Sequence, residues 1–158
     1  MQLDAKFSNQ FKVFFGLAIV LKLVLLVVFS SGYQEKLFIP FVLEFLEHGD
    51  NPWEYLSTAE EAFPYPPLML YILSFTLAPL QYLDSSSNTY FIIKGLLYGF
   101  PLLLSDLVIT AILIRMFIWN KKEIFIFYCL SPIIIFSTYM HGQLDIIPTA
   151  MLFVSIFL

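Results

Sequence analysis

Charge is scarce in this chain. Only 13% of its 158 residues are Asp, Glu, Lys or Arg, about half the share usual in a soluble domain. Cysteine is nearly absent. Cys129 stands alone, which excludes an intrachain disulfide framework and a Cys-rich metal site. His48 and His141 are the only histidines, so no multi-His metal centre can form within the chain and no metal-ligating residue is assigned. A net charge of −4 gives no basic surface for a polyanion, so nucleic acid is not an expected partner. A Gly-rich phosphate loop is missing as well. No long polar stretch is present, which excludes a disordered tail. What remains is apolar: 59% hydrophobic residues, 18% aromatic, and a mean hydropathy of +0.83. Such a balance excludes an ordinary soluble enzyme domain and points to an integral membrane protein.

A helix needs about 20 mostly apolar residues to cross about 30 Å of hydrocarbon. Five apolar runs qualify in whole or part. They cover residues 13–30, 66–83, 90–119, 124–140 and 146–158. The third is too long for one straight span, and the fifth stops partway across. None alternates as a transmembrane barrel strand does. Backbone groups in lipid must satisfy one another, so the runs are expected as helices. The fold class predicted is all-α, a polytopic transmembrane helix bundle forming one module over residues 1–158. The first run carries Lys22 and lacks a good cleavage site, so it is an anchor rather than a signal peptide. Because the chain closes inside an apolar run, it is expected to be the N-terminal part of a longer protein.

Residues 31–64 join the first two runs and hold the most information. The segment carries Glu35, Glu44, Glu47, Asp50, Glu54, Glu60 and Glu61 against one base, Lys36. Short cytoplasmic loops favour Lys and Arg, so this acidic loop is expected outside and the tail with Lys6 and Lys12 inside. Residues 37–47 (LFIPFVLEFLE) place Glu44 and Glu47 on one face of an amphipathic interfacial helix. Asn51-Pro52-Trp53-Glu54 has an N-cap, a first-turn proline and a third-position acid, which predicts a second short helix to about Ala62. Pro66 and Pro67 then open the second run without sacrificing a helical hydrogen bond.

Polar residues inside apolar runs are expensive and need partners. Lys22 faces either protein or an interface it can reach with its long stem. Asp106, in PLLLSDLVITAILI, has no such reach and must be paired, protonated or wet. Lys94 lies twelve residues earlier, about three turns away on a straight helix, too far unless Gly99 and Pro101 break it. His141, Gln143 and Asp145 form a polar cluster between the fourth and fifth runs. His141 and Asp145 are also one helical turn apart and can pair with each other.

Topology presents a conflict. Four simple crossings from an inside N-terminus put Arg115, Lys121 and Lys122 outside, against the positive-inside tendency. A break of the third run near Asp106 would return those bases inside. It would also gather Glu35, Asp106 and His141–Asp145 at the outer face, at the cost of two half-spans.

Taken in order, an acidic loop with LFIPF, NPWEY, YPPL, LLLSDL, a basic break at Lys121-Lys122, LSPIII and HGQLDIIP resemble the GT-C superfamily of polytopic glycosyltransferases. The likeness is nearest to bacterial mannosyltransferase-like members and covers residue 13 to the end. The resemblance implies transfer of a hexose from a polyprenyl-phosphate sugar to a glycan, lipid or protein acceptor at the outer membrane face. The lipid-linked donor is a substrate, so no cofactor is implied. The localisation implied is multi-pass in the membrane, the plasma membrane for a bacterial protein. A first-loop carboxylate acts as general base in this family, usually an aspartate. Here Gly32-Tyr33-Gln34-Glu35 makes Glu35 the nearest acid, with Asp50 next. Glu35 and Asp106 are therefore the expected catalytic acids. Asp106 and Asp145 match family positions and can orient groups rather than react. Lys36, Tyr65, His141, Gln143 and Asp145 are the expected substrate-binding residues, and Lys94 is a further cation for the leaving phosphate. The implied N-terminal portion would be inactive alone. A transporter subunit and a noncatalytic helical partner are the competing readings.

Overall fold

The computed structural model describes residues 2–55, 63–117 and 121–158, with side chains from residue 11 onward except at 55. All regular elements are helical, and no strand occurs among the described residues. The order is α1 (Gln2–Val28), a wide-turn segment (Gln34–Phe38) running into α2 (Ile39–His48), and α3 (Pro52–Tyr55). Next come α4 (Pro67–Leu77) with a tight final turn (Ala78–Tyr82) and α5 (Asn88–Met116). The chain finishes with α6 (Lys121–Ile124), α7 (Pro132–Ile134) and α8 (Ile146–Phe157), wide turns following α6 and α7. Three helices, Phe11–Val28, Asn88–Met116 and Lys121–Met140, are long and apolar enough to cross a membrane. The other two apolar helices, Pro67–Tyr82 and Ile146–Phe157, are shorter.

The third, second and fourth runs each take a particular form. The 90–119 run does not break at Asp106, because α5 is one continuous helix of 29 residues. Pro101 removes one helical hydrogen bond, at a cost of about 3 kcal/mol in an isolated helix. The helix continues through it because Pro101 and Leu102 are buried among neighbouring helices. The 66–83 run is not a full span. Pro79 cannot donate back into the helix, so α4 tightens at Ala78 and ends at Tyr82. The fourth run is helical but irregular. Its chain turns at Leu130-Ser131-Pro132, and Leu130 N–H donates five residues back to Phe125 at 3.0 Å.

α5 is the axis, packing against α8, α1 and α4. Its buried face repeats every four residues as Lys94, Tyr98, Leu102 and Asp106. α1 opposes it with its own stripe, Ala18, Lys22 and Leu26, while Leu17, Val20, Leu21 and Val24 face outward. Leu26 meets α5 at Gly95 and Gly99, and Lys22 meets it at Asp106. Phe11 reaches Phe125, beyond the other end of α5. α1 and α5 are therefore antiparallel. α8 runs alongside the C-terminal half of α5, with Leu104 and Val108 facing Ile147, Ala150 and Val154.

The two ends of the α1–α5 pair carry different residues. Arg115 ends α5 at the Phe11–Phe125 end, where Lys12, Lys121 and Lys122 also lie. Glu35 and the turn at 141–145 lie at the opposite end, against Lys94 and Tyr98. α4 starts beside Asp145 and ends a few residues before α5 begins. It flanks the N-terminal part of α5 and packs on α2 instead of following the length of the axis.

The first loop helix forms where the sequence pattern puts it, but its apolar face packs on protein, where a membrane surface was expected. α2 buries Ile39, Phe41 and Val42, and Glu47 remains exposed. Its apolar face meets protein. Phe38 and Phe41 join Trp53, Phe63 and Tyr65 in edge-on and stacked ring pairs, each worth about 0.5–1.5 kcal/mol beyond burial. Gly49 closes α2 at φ 73°, the left-handed position that favours glycine. Asn51 caps α3: its Oδ1 accepts from Trp53 N–H at 3.2 Å, and its Nδ2 donates to Glu54 at 3.1 Å. The expected extension to Ala62 lies outside the described residues.

Candidate functional site

The buried stripe of α5 holds two polar stations. At the deeper one, Lys22 Nζ donates to Asp106 Oδ2 at 2.5 Å, and the Tyr139 hydroxyl donates to the same oxygen. The Lys22 ammonium also stands 5.2 Å from the centre of the Tyr139 ring. Tyr128 is near enough to interact with the carboxylate, but Oδ1 has no hydrogen-bond partner among the described residues. Side-chain exposure is 5% for Lys22 and 1% for Asp106. Three elements (α1, α5 and the α7 segment) thus close on one sealed charge pair.

At the other station, Lys94 Nζ donates to Glu35 Oε2 at 2.6 Å, and the Ser30 hydroxyl donates to Glu35 Oε1. The Lys94 ammonium lies 5.0 Å from the Phe91 ring centre and 5.9 Å from that of Tyr90. Such ring faces favour a cation. Burial alone would raise the Glu35 pKa, but the Lys94 ammonium and the Ser30 hydroxyl outweigh it and hold the carboxyl below its ordinary value of 4.5.

The 141–145 turn is fastened to this end by residues that sequence reasoning left aside. Tyr98 OH donates to the Gly142 carbonyl at 2.6 Å. Gly142 has φ 71°, and a Cβ there would meet Gln34 Oε1 at 2.9 Å and the Tyr98 ring at 3.3 Å. The positive φ favours glycine there, and a side chain would also crowd Gln34 and Tyr98. His141 packs between the rings of Tyr33 and Phe136, with centroids at 5.5 and 5.9 Å. His141 and Asp145 go to different neighbours. Asp145 stands beside Tyr65, whose phenol is raised above its ordinary value of 10.0 by burial and then by that carboxylate.

Two cavities meet at the Tyr33–His141 wall. The larger, about 520 Å³, is lined by Ser31, Gly32, Tyr33, Lys36, Leu37, Met140 and His141. The smaller, about 220 Å³, is lined by Tyr33, Phe38, Pro64, Tyr65, His141 and Gln143. Lys36, Tyr65, His141 and Gln143, expected as substrate contacts, therefore share one pair of adjoining spaces. Asp145 stands at their edge through Tyr65. Glu35 is next to Lys36 in sequence but turns to Lys94 and lines neither cavity. Asp106 does not join this group. It is twelve residues from Lys94 along α5, a rise of about 18 Å, and Lys22 and Tyr139 enclose it.

Of the groups that build this end, Tyr33, Gln34 and Tyr98 were not singled out as binding residues, whereas Lys94 was expected as a cation for the leaving phosphate. Only Lys94 had a signal, as a lysine inside an apolar run. An anion or a hydroxyl-rich ligand is what Lys36, His141, Gln143 and the tyrosines can hold. No protein-family model, curated protein or solved structure matches this chain.

Proposed function

We propose that this chain is the N-terminal part of a multi-pass membrane glycosyltransferase of GT-C type. It passes a mannose-like hexose from a polyprenyl-phosphate sugar to an acceptor hydroxyl at the outer membrane face. The observation that carries this reading is the meeting of residues 31–38 and 64–65 with the 141–145 turn. They enclose adjoining cavities whose walls mix Lys36, His141, Gln143 and Tyr65 with apolar Leu37, Phe38 and Met140. A lipid-linked sugar phosphate has these two characters.

In this reading the basic end, with Lys12, Arg115, Lys121 and Lys122, faces the cytoplasm and the acidic loop faces out. α1, α5 and the Lys121–Met140 helix cross, and α4 stays beside the outer part of α5. The acceptor hydroxyl is a poor nucleophile and needs a proton acceptor within hydrogen-bond reach. Glu35 is assigned that role. The sugar's anomeric carbon gains the acceptor oxygen and loses the phosphate oxygen, and Glu35 takes the proton. The departing lipid phosphate is already anionic, so it needs positive or donating groups rather than a strong acid. Lys36, Lys94, His141 and Gln143 are assigned that role. Asp106 orients the helices from a distance and does not react.

A transporter reading would use Lys22 and Asp106 as steps on a polar path. Their mutual neutralisation and near-zero exposure favour a fixed joint instead. A noncatalytic partner would leave the two cavities without a role. The test is Glu35→Gln in the full-length enzyme, assayed against a panel of polyprenyl-phosphate sugars. Transfer should fall by about 10²–10⁴-fold with expression unchanged. Full activity in that variant rejects Glu35 as the base.

A further inference from the structure

We infer that Lys94 is an anion-exchange site: the donor's phosphate displaces Glu35 from Lys94 and thereby frees the carboxylate. This rests on the lipid-phosphate reading above and adds a residue and a sequence of events to it. The two partners are unequally placed. Lys94 has 9% of its side chain exposed and Glu35 has 36%. Lysine is fixed by the Phe91 and Tyr90 rings and by the close α1–α5 contact at Gly95. Glutamate is on the wide-turn segment Gln34–Phe38, where bonds run five residues back, as at Ile39 N–H to the Gln34 carbonyl. Wide turns of this kind carry an extra residue and recur at functional sites.

Both Glu35 oxygens are engaged in the resting arrangement, one by Lys94 and one by Ser30. A base in that state has a depressed affinity for protons and lines neither cavity. It must swing away to work, and that movement alone would strand a buried ammonium, which is strongly unfavourable. The movement becomes favourable when another anion takes the place on Lys94 Nζ. Residues flanking Glu35 in sequence, Ser31, Tyr33 and Lys36, line the larger cavity, so a short rotation of the same turn connects the two positions. Exchange of this kind makes the base available only when donor is present. Hydrolysis by stray water is thereby suppressed.

The full chain in lipid nanodiscs is titrated with farnesyl phosphate, with inorganic phosphate and uncharged farnesol as parallel arms. Lys94→Met should weaken farnesyl phosphate binding about tenfold or more, since a charge-assisted contact is lost, and Lys94→Arg should retain most of it. Glu35→Gln should tighten binding about tenfold, because the internal competitor is gone. The Lys94→Met/Glu35→Gln double variant removes both charges, so it avoids a stranded group and should bind as weakly as Lys94→Met. Farnesol should respond to none of these changes. Weaker binding by Glu35→Gln, or wild-type binding by the double variant, overturns the exchange while leaving the lipid-phosphate reading standing. Equal affinity for inorganic phosphate assigns Lys94 to a free anion and overturns the lipid-borne source. Absence of farnesyl phosphate binding in both wild type and Glu35→Gln overturns the proposed function together with this inference.

Discussion

Two lysine–carboxylate pairs on one face of α5 have nearly the same bond length and opposite characters. Lys22–Asp106 is closed on every side, with both partners almost without exposure. Glu35–Lys94 has one buried member and one open member. In the first, each side chain lies within a long apolar helix, and Tyr139 adds a third connection. In the second, the acid comes from a loop turn next to a cavity. Burial on both sides makes a joint, because separation would leave two charges in an apolar interior. Burial on one side makes a pair that a competing ion can open.

The largest expected effect tests the closed pair. Lys22→Met or Asp106→Leu alone should destabilise the fold by about 3–5 kcal/mol, because each leaves its partner buried and unpaired. The double variant Lys22→Met/Asp106→Leu should recover part of that loss, since no charge is then left unpaired, although the buried Tyr139 hydroxyl loses its acceptor. Thermal unfolding in detergent measures both. If the singles melt like wild type, or the double is worse than either single, the joint description fails and a polar path through Asp106 regains weight.

A smaller effect separates the two stations along the α1–α5 seam. A Cβ at Gly95 would stand 2.6 Å from the Leu26 carbonyl oxygen, which is backbone and cannot rotate away. At Gly99 the nearest atom is a Leu26 methyl at 2.4 Å, the end of a flexible side chain. Gly95→Ala should therefore destabilise by about 1–3 kcal/mol through overpacking, and Gly99→Ala by less. Gly95→Ala should also move the end of α1, and with it Ser30, away from Glu35. Unfolding midpoints of the two variants decide the order, and a reversal would mean that the seam at Gly95 is not close-packed.

Much of this was legible in the sequence for reasons that can be named. The α1, α2 and α8 helices follow from hydropathy and from the spacing of Glu44 and Glu47. The cap at Asn51 follows from its local chemistry, since capping involves neighbours two and three residues away. The closed pair was legible only in part. Asp106 in an apolar run demands a partner, but spacing along one helix offered Lys94, while the actual partner is 84 residues away on α1. Lys94 likewise finds Glu35 at a separation of 59. Sequence spacing reports neighbours within a turn and is blind to pairs made by helix packing. The misplacement of α4 has another cause. Residues 66–83 are apolar enough to cross, and only Pro79, which tightens the last turn, and the packing on α2 keep them beside the end of α5. Lys36, His141 and Gln143 were expected from residue type and Tyr65 from the resemblance, and the four line two adjoining cavities. Tyr98 was missed because its value lies in holding the Gly142 carbonyl, and Gln34 because it packs beside Gly142, neither of which a local pattern encodes.

The smallest expected effect concerns the open pair and has a definite sign. Glu35 titrates below 4.5 in the folded protein, with burial opposing the shift and Lys94 and Ser30 driving it. A carboxyl depressed on folding stabilises the protein above its unfolded value and loses that contribution as pH falls through the folded one. The unfolding midpoint of wild type should thus exceed that of Glu35→Gln near neutral pH, and the gap should close below 4.5. Glu35 is more than a third exposed, so solvent screening keeps the gap small. In Lys94→Met the sign should change. Burial then acts against Ser30 alone, the carboxyl titrates higher than in wild type, and ionisation on raising the pH should lower the midpoint. Should the wild-type and Glu35→Gln midpoints run parallel from neutral pH to well below 4.5, the Glu35–Lys94 contact contributes nothing to the folded state. The contrast between a joint and a gate would then rest on Lys22–Asp106 alone.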